Sequence, residues 1–402
     1  MPFTPASLYG SPNALSPHYS RFKVAERVLL SGHSHQAWPD KAFDGLVHAW
    51  QDAADMVDEK WECAMCTADE VRAGYARLLD DPEAVIALGP ATHDLLIKLL
   101  SALPLRRRPK LITTTGEFHA MRRQLDRLAE EGVEVVKVPH TPAADVAERI
   151  AQAVDDRTAA VFVSAVFYEN AHIVPGLSRA LAACTRVGAE LIVDVYHALN
   201  VVPFSVREQH LDQAYITGGG YKYCQLGEGN GFLRIPAGRE LRPVVTGWFS
   251  EFTSLYSGGP RTRVEYGPGP EVFAGATYDP TSHYRAAAVF QFFKEHDLKP
   301  AFLRVVSQHQ VGLLIERFDD LELDSRLITR DRSVPLENLG GFLALQTPRA
   351  AALHQGLRER GVWSDYRGEV LRLGPAPYIS DAQIETAMAA LRDAVRSLPP
   401  AR

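Results

Sequence analysis

The fold is decided by two stretches, Glu190-Leu-Ile-Val-Asp194 and Gly218-Gly-Gly-Tyr221-Lys222-Tyr223. The first is a short apolar run that predicts a buried strand ending on a carboxylate. Lys222 lies 28 residues further on (222 − 194), after three glycines that permit close approach of the backbone. Functional groups gather at the carboxyl ends of parallel strands, so we expect both side chains in one crevice. Alone, Asp194 could be a turn residue or a helix cap, and Lys222 could be a surface lysine. It is their pairing that indicates a functional site.

Short β-branched runs alternate with helical patterns from about residue 80 onward, which is typical of a parallel sheet wrapped by helices. The predicted strands are Ala84–Leu88, Leu111–Thr115, Val133–Val138, Ala159–Val166, Glu190–Asp194, Ala214–Thr217 and Gly231–Ile235. The last two follow each other closely, so part of the sheet departs from simple βαβ winding. The predicted fold class is α/β, with a mostly parallel seven-stranded sheet in a large domain.

Three parts are predicted along the sequence. Residues 1–70 have little strand signal, and we expect an N-terminal arm that packs with the small domain. Residues 71–284 form the predicted large domain, and residues 285–402 a smaller α+β domain. The small domain should contain one long helical stretch followed by further elements, at about Tyr284–Phe318, Gly341–Gln346 (strand), Arg349–Arg360 (helix), Glu369–Leu373 (strand) and Asp381–Ser397 (helix).

Composition argues against several classes of protein. The 402 residues are 46% apolar, and 43 basic against 49 acidic residues give a formal net charge of −6 with no sustained basic stripe for nucleic acid. The apolar runs are too short for a bilayer and a signal pattern is missing, so we expect a cytoplasmic protein without membrane contact. The four cysteines make no disulfide framework, and Cys63-x-x-Cys66 lacks the further ligands of a zinc site. No metal is predicted.

Residues Ala87 to Leu100 predict a strand, a small-residue turn and an amphipathic helix. An anion could dock on the first backbone amides of that helix, with the Thr92 hydroxyl as a further donor. The alternative is that Thr92 merely caps the helix. Together with Lys222 and Asp194, this turn completes the set that pyridoxal 5′-phosphate (PLP) chemistry needs: an amine for the aldehyde, an acid for the pyridine nitrogen and a phosphate cradle.

At these positions the sequence resembles the kynureninase-like branch of the class-V aminotransferase superfamily, which are fold-type-I PLP-dependent enzymes. Gly89-Pro-Ala91-Thr92 is similar to the phosphate loop, which implies that Ala91 and Thr92 bind the phosphate. Asp194-Val-Tyr-His197 resembles the Asp-x-x-His of kynureninases, which implies that Asp194 contacts the ring nitrogen and His197 the polar edge of the cofactor. Tyr221-Lys222-Tyr223 resembles their Tyr-Lys-Tyr, which implies a Schiff base on Lys222 and a phosphate contact from Tyr221.

Further motifs of that family follow in the same order. Thr246-Gly-Trp248-Phe249 is similar to Ser-Gly-Trp-Phe, which implies that Trp248 lies at the cofactor, and Thr277 falls where a threonine approaches the phosphate from a partner subunit. Val370-Leu-Arg372-Leu-Gly-Pro resembles the strand whose arginine grips the substrate carboxylate. Gly32-His-Ser34-His is similar to the N-terminal motif, and Ser34 is a candidate substrate contact. Ser164, ending a strand opposite the cofactor, is a candidate cofactor contact.

The departures from the family pattern concern the substrate more than the cofactor. His119 stands where kynureninases carry a Phe over the pyridine ring, and cysteine desulfurases use His there, so His119 is expected to stack on the cofactor. Val166-Phe-Tyr-Glu169-Asn170-Ala replaces Asn-Tyr-Lys-Thr-Gly, and Met121-Arg122 replaces the pair after the kynureninase Phe-Pro. These changes put kynurenine itself in doubt. No role is assigned to His33, His35, His93, Glu169 and Asn170.

The expected function is that of a PLP-dependent enzyme acting on an α-amino acid, foremost a kynureninase-like hydrolase or lyase that cleaves a carbon–carbon bond in the substrate side chain. A class-V aminotransferase or a β-lyase uses the same parts and is the alternative. A cysteine desulfurase is disfavoured because it needs a mobile nucleophilic cysteine in the small domain, and no cysteine follows Cys224. A catalytically idle PLP-fold binding protein is a third possibility. The resemblance also implies a homodimer with the active site at the subunit interface.

Overall fold

The computed structural model describes residues 3–254 and 262–398. Its strands, in sequence order, are β1 (Val28–Leu29), β2 (Val85–Gly89), β3 (Lys110–Thr114), β4 (Glu134–Val138), β5 (Thr158–Ser164), β6 (Glu190–Asp194), β7 (Tyr215–Gly219), β8 (Gly231–Ile235), β9 (Leu343–Gln346), β10 (Val362–Trp363), β11 (Asp365–Arg367) and β12 (Val370–Leu373). Its α-helices are α1 (Pro5–Tyr9), α2 (Lys41–Met56), α3 (Lys60–Leu78), α4 (Thr92–Ala102), α5 (His119–Glu130), α6 (Val146–Ala153), α7 (Leu177–Val187), α8 (Thr281–Glu295), α9 (Pro300–Asp320), α10 (Ala350–Glu359) and α11 (Asp381–Arg396).

The strands β2 to β8 build a seven-stranded sheet in the order β2-β8-β7-β6-β5-β3-β4. Neighbours from β7 to β4 pair in parallel, whereas β8 is antiparallel to both β7 and β2. The predicted α/β class and the mostly parallel seven-stranded sheet are therefore confirmed. The last two strands are close in sequence because β8 runs antiparallel to β7 and needs no intervening helix.

Helices cover both faces of this sheet, which is why its strands are apolar without alternation. In β5, Val161 and Val163 face one hydrophobic core, while Ala160 and Phe162 face the other. Helices α4 and α5 pack on the smaller core through buried side chains such as Leu95, Leu99 and Leu125. The larger core continues into the C-terminal part of the protein. The parallel strands are thereby held rigidly, with their carboxyl ends free to carry a site.

The C-terminal part contains an antiparallel sheet in the order β11-β12-β9. The single helical stretch predicted at Tyr284–Phe318 is wrong: α8 and α9 are separate helices, because Asp297 between them has a φ of 54° and Pro300 starts the second helix. Near the N-terminus, β1 pairs in parallel with β10.

The division into three domains stays a proposal, and the structure suggests a refinement of its boundaries. Residue 70 lies within α3 and residue 284 within α8, so boundaries at the starts of these two helices would leave both elements intact. In the described ranges, no helix combines the length and the apolar character needed to cross a membrane.

The edge formed by the carboxyl ends of the parallel strands brings small and polar residues together. By strand register, Ser164, Asp194 and Thr217 lie side by side on β5, β6 and β7. Next to them Gly219, Gly231 and Gly89 form a second row across β7, β8 and β2, a row without side chains. A Cβ on Gly231 would lie 2.5 Å from the Thr92 nitrogen, so glycine lets the start of α4 approach the sheet. The start of α4 therefore packs directly on this row of the sheet.

Candidate active site

Lys222 lies in the turn after β7 and is buried, with 5% of its surface exposed. Its Nζ lies 2.6 Å from Nε2 of His197 and 5.2 Å from the ring centroids of Phe118 and Tyr196. Burial lowers the pKa of Lys222 to about 7, against an opposing effect of the Asp194 charge. Burial also lowers the pKa of His197 well below its usual value. A neutral His197 therefore faces an amine that is readily deprotonated near neutral pH, as a nucleophilic lysine requires.

Asp194 ends β6 and is almost fully buried at the same edge of the sheet. Burial raises the pKa of its carboxyl to about 6, while the backbone amide of Tyr196, which donates to Oδ1 at 2.8 Å, and the charge of Lys222 lower it. The structure thus brings together the two residues that the sequence paired. A cationic partner would favour the ionised form of this carboxylate further.

Glu117 is a second buried carboxyl at this edge, and sequence reasoning gave it no role. It lies in the turn between β3 and α5, and it accepts hydrogen bonds from the Thr114 hydroxyl at 2.6 Å, the Ser164 amide at 3.2 Å and the Ser164 hydroxyl at 2.6 Å. Burial raises the pKa of Glu117 to about 7, and the nearby Asp194 charge raises it further against these hydrogen bonds. The Ser164 hydroxyl directs its proton at Glu117, so a cofactor contact from Ser164 would have to use its oxygen as acceptor.

The raised pKa of Glu117 predicts a pH-dependent stability. A carboxyl whose pKa rises from 4.5 to about 7 on folding binds more protons in the folded state, so its contribution to stability falls as pH rises through that window. Glu117→Gln removes this penalty and keeps the shape. We expect the free energy of unfolding of the variant, relative to the parent, to improve by about 3 kcal/mol between pH 4 and pH 8. Urea unfolding of both proteins at both pH values measures this change. An equal difference in the free energy of unfolding at pH 4 and pH 8 would contradict it.

The start of α4 faces the glycine row, as expected of a phosphate cradle. Ala91 is the residue before the helix, and the helix is capped by no side chain, so the alternative that Thr92 is the cap is wrong. The Thr92 hydroxyl donates to the Gly218 carbonyl at 2.7 Å and ties α4 to β7. On the other side, the rings of Tyr221 and Tyr196 lie 4.9 Å apart, and their hydroxyls interact. Free helix amides and phenol hydroxyls are the donors that a phosphate accepts.

The aromatic face next to Lys222 belongs to Phe118. Its ring lies 5.2 Å from Lys222 Nζ, and it packs edge-on against Tyr168 at 5.4 Å. His119, the predicted stacking residue, starts α5 and has its ring 5.5 Å from that of Tyr168, with Arg122 Nη2 at 3.5 Å from its Nδ1. The ring beside the amine therefore belongs to Phe118, one residue before the predicted His119. We propose that Phe118 stacks on the cofactor.

Arg372 is buried on β12 and directly opposite Asp365 on β11. Its Nε donates to Asp365 Oδ1 at 2.7 Å, its Nη2 contacts the same oxygen, and its Nη1 donates to the Tyr168 carbonyl. A guanidinium has five N–H donors, so one donor on each Nη is left for a further carboxylate. Asp365 also contacts Arg367 at 3.1 Å and His33 Nε2 at 3.1 Å, which holds its pKa far below the usual range. Asp365 thus orients the Arg372 guanidinium and leaves one N–H on each Nη atom of Arg372 free for a ligand.

The N-terminal loop around Ser34 reaches the same crevice. The imidazole of His35 stacks on the Tyr221 ring at 4.7 Å, and His33 is fully buried beside Asp365. Ser34 lies between them, and its hydroxyl pairs with His35 Nδ1 at 3.2 Å. The previously unassigned His33 and His35 therefore hold the loop in place, and a substrate contact from Ser34 stays a prediction.

Trp248 and Thr277 belong to a different surface of the protein. Trp248 is 44% exposed and packs on Phe249 at 4.3 Å, and Phe249 in turn lies against Trp61 and Tyr278. Thr277 is exposed beside this cluster. In the described part of the protein, no hydrogen bond or ring contact joins either residue to Lys222. Within a single subunit, Trp248 and Thr277 therefore do not contact Lys222, unlike His197.

The other unassigned residues lie outside the immediate surroundings of Lys222. His93 is exposed on α4. The Asn170 side chain accepts from the His172 amide at 3.0 Å and shapes the turn after Tyr168, while Glu169 follows Tyr168 at the mouth of the crevice. Across residues 3–254 and 262–398, no group of three or more His, Cys, Asp or Glu side chains is arranged to hold a metal ion.

The protein was compared with known proteins by sequence and by structure. The kynureninase C-terminal domain family matches residues 303–391. No curated protein matches the sequence. A mutant of the cystine C–S lyase C-DES with glycine covalently linked to its PLP cofactor superposes with a TM-score of 0.81 at 15% identity, over 94% of this chain and 98% of that one.

Two further solved structures are similar over nearly the whole length. They are an apo cysteine desulfurase from Thermococcus onnurineus NA1 (TM-score 0.79, 16% identity, 96% of this chain and 98% of that one) and the cysteine desulfurase CsdA from Escherichia coli (TM-score 0.76, 16% identity, 99% and 100%). The resemblance found in the motifs is thereby confirmed at the level of fold and C-terminal domain. The protein has the fold of these solved PLP-dependent enzymes, and its residues 303–391 match the kynureninase C-terminal domain family.

Proposed function

We propose that this protein is a PLP-dependent enzyme that acts on an α-amino acid, with Lys222 as the residue that holds the cofactor. The observation that carries this proposal is the buried Lys222 amine, whose pKa is lowered to about 7 beside a neutral His197 and within the field of Asp194. A surface lysine would have neither the burial nor the lowered pKa.

The residues around Lys222 fit the cofactor in each of its parts. Gly231 lets the start of α4 lie directly against the sheet, because a Cβ there would be 2.5 Å from the Thr92 nitrogen, and the first backbone amides of α4 suit a phosphate. The Phe118 ring offers an apolar surface beside the amine, and Asp194 offers a buried carboxylate for a ring nitrogen. We therefore assign the phosphate to Ala91, Thr92 and Tyr221, the ring nitrogen to Asp194, and the polar edge to His197.

Bound PLP would supply the electron sink that stabilises negative charge at the substrate Cα. The protein groups then have separate tasks. Asp194 keeps a proton on the ring nitrogen, because its carboxylate is stabilised by that positive charge. Lys222, with a pKa of about 7, takes and returns the proton at Cα. The two free N–H donors of Arg372 bind the α-carboxylate, and Asp365 fixes the plane of that guanidinium and so the orientation of the bond that breaks.

For the reaction type, we propose cleavage of a carbon–carbon bond in the substrate side chain, in the manner of a kynureninase. The match of residues 303–391 to the kynureninase C-terminal domain supports this choice. A β-lyase is the second candidate, supported by the similarity in fold to C-DES, a cystine C–S lyase. An aminotransferase would use the same residues.

A screen of amino acids tests the proposed function. PLP-loaded protein is mixed with L-kynurenine, 3-hydroxy-L-kynurenine, L-cystine and the common amino acids, and products are identified by mass spectrometry. Release of a side-chain acid with alanine supports hydrolysis of a carbon–carbon bond, and release of a thiol or persulfide supports a lyase. A keto acid without side-chain loss supports transamination. PLP-loaded protein that turns over none of them would favour the idle binding protein.

We also propose that two copies complete each other's sites. Exposed apolar residues cluster on the surface that carries Trp248 and Thr277, and others lie on α2: Val244, Val245, Trp248 and Phe252, with Phe43, Val47 and Trp50. Large exposed apolar patches of this kind mark interaction surfaces. A symmetric pairing would let this surface bring Thr277 and Trp248 of one subunit to the phosphate cradle of the other.

Mixing two defective variants tests the shared site. Lys222→Ala removes the amine and Thr277→Ala the partner's phosphate contact, so a mixed dimer contains one intact site and one doubly defective site. After subunit exchange, we expect activity at limiting PLP to recover to about a quarter of the parent value, because random pairing makes half of the dimers mixed. A mixture of Lys222→Ala with a variant that has both substitutions is the control and should not recover. Equal activity of the two mixtures would contradict the shared site.

A further inference from the structure

Arginines surround the mouth of the crevice on the substrate side. We name Arg122, Arg123, Arg367 and Arg372 the arginine rim. Arg122 Nη2 lies 3.5 Å from His119 Nδ1, the His119 and Tyr168 rings are 5.5 Å apart, and the guanidinium carbon of Arg372 lies 5.9 Å from the Tyr168 ring. Two guanidiniums therefore flank one pair of rings, Arg372 on the buried side and Arg122 on the open side.

The arginine rim is next to the reactive amine. Phe118 packs against Tyr168 at 5.4 Å and lies 5.2 Å from Lys222 Nζ, so one ring separates the amine from the His119 and Tyr168 pair. A substrate held by Arg372 and reacting at Lys222 would extend its side chain along these rings toward Arg122.

Carboxylates do not balance the charge of the rim. Arg372 and Arg367 share Asp365, and Arg122 shares Asp126 with Lys137, so each of these acids serves two cations. Glu169 is a further acid near Tyr168. After burial, the four rim arginines are the charges that lower the pKa of His119. The mouth of the crevice is thus cationic around a neutral imidazole.

The helix position of Arg122 and Arg123 is unfavourable for their charge, although Arg122 also pairs with Asp126 four residues further on. They lie near the start of α5, where the helix dipole disfavours positive charge. Arg122 is 41% exposed and Lys137 also holds Asp126, so Arg122 could turn to a ligand without leaving that acid alone. Its planar fork suits a carboxylate or a phosphate.

We propose that the substrate is an α-amino acid whose side chain ends in an anionic group, with Arg372 binding the α-carboxylate and Arg122 the distal anion. This inference rests on the proposed function and narrows its substrate class.

Binding of matched amino acids to PLP-loaded protein tests the proposal. The dissociation constant is measured from the change in PLP absorbance for L-aspartate, L-glutamate and O-phospho-L-serine, and for their neutral counterparts L-asparagine, L-glutamine and L-serine. We expect at least one anionic compound to bind about 10-fold or more tightly than its counterpart, and the best of the three distinguishes a carboxylate from a phosphate.

Variants of α5 locate the effect. Arg122→Gln should weaken binding of the preferred anion about 10-fold and leave its neutral counterpart within about twofold, whereas Arg122→Lys should retain part of the preference. Arg127→Gln, on the same helix and paired with Glu131, is the matched control and should change neither.

The outcomes separate this inference from the proposed function. Protein that does not take up PLP would overturn both. Protein that takes up PLP and binds anionic and neutral compounds equally would overturn the anionic substrate class alone. If Arg122→Gln still prefers the anionic compound over its neutral counterpart, Arg122 does not bind the distal anion.

Discussion

Replacing Lys222 by alanine is expected to abolish the absorption band of lysine-bound PLP and to lower activity by on the order of 10³-fold or more. The physical reason is that the variant loses the buried amine beside His197 and Phe118, which we propose both holds the cofactor and carries the substrate proton. Loss of a buried side chain that is 2.6 Å from His197 leaves the fold intact, because the strands on either side are held by the sheet. Absorption spectra and initial rates of reconstituted protein measure both effects.

Lys98→Ala is the matched control for that variant. Lys98 lies on α4, is partly buried, and has a pKa that burial also lowers, but its amine donates to the Phe273 carbonyl at 2.7 Å. The Lys98 variant should keep the absorption band and most of the activity. If Lys222→Ala kept the band while Lys98→Ala lost it, the assignment of the cofactor to Lys222 would be wrong.

The second large effect is expected from Asp194→Asn, which should reduce kcat about 100-fold or more while PLP is still taken up. An amide of the same shape can still accept the Tyr196 amide hydrogen, but it carries no charge to keep a proton on the ring nitrogen. The electron sink is then weakened although the geometry is retained. Single-turnover rates and PLP content, measured on the same sample, separate the two quantities.

Glu190→Gln provides the comparison on the same strand. Glu190 begins β6 at the opposite edge of the sheet, its pKa is also raised by burial, and it pairs with Arg239 at 3.3 Å. A loss of kcat in Glu190→Gln equal to that in Asp194→Asn would show that disturbance of β6, and not the lost charge beside the cofactor, explains the effect.

The sequence was most informative where one local pattern determines one element. β6 and β8 have the predicted bounds, and the other five strands of the large sheet differ little, because most of them are short apolar runs buried in the sheet. The edge strand β4, with the exposed Lys137, is only partly buried. The meeting of Asp194 with Lys222 was also predictable, since adjacent parallel strands end at one edge. The break between α8 and α9 was missed although Pro300, which begins α9, is a typical signal for the start of a helix.

The residues that sequence reasoning missed depend on contacts between distant segments. Asp365 orients Arg372 only because β11 and β12 form an antiparallel pair, and no strand was predicted at β11. Glu117 could be recognised only from its burial between Thr114 and Ser164. The proposed stacking role of Phe118, in place of the predicted His119, depends on how the first turn of α5 is oriented, which a motif with both aromatic residues does not define.

Reduction of PLP-loaded protein with borohydride, followed by peptide mapping, tests the central claim most directly. Reduction fixes the cofactor on the lysine that holds it, and the modified peptide is identified by mass. We expect one phosphopyridoxyl group per subunit, on the peptide that contains Tyr221-Lys222-Tyr223, and none at Lys98 or Lys110. Modification spread over several lysines, or located on another lysine, would contradict the assignment of Lys222 as the cofactor-binding residue.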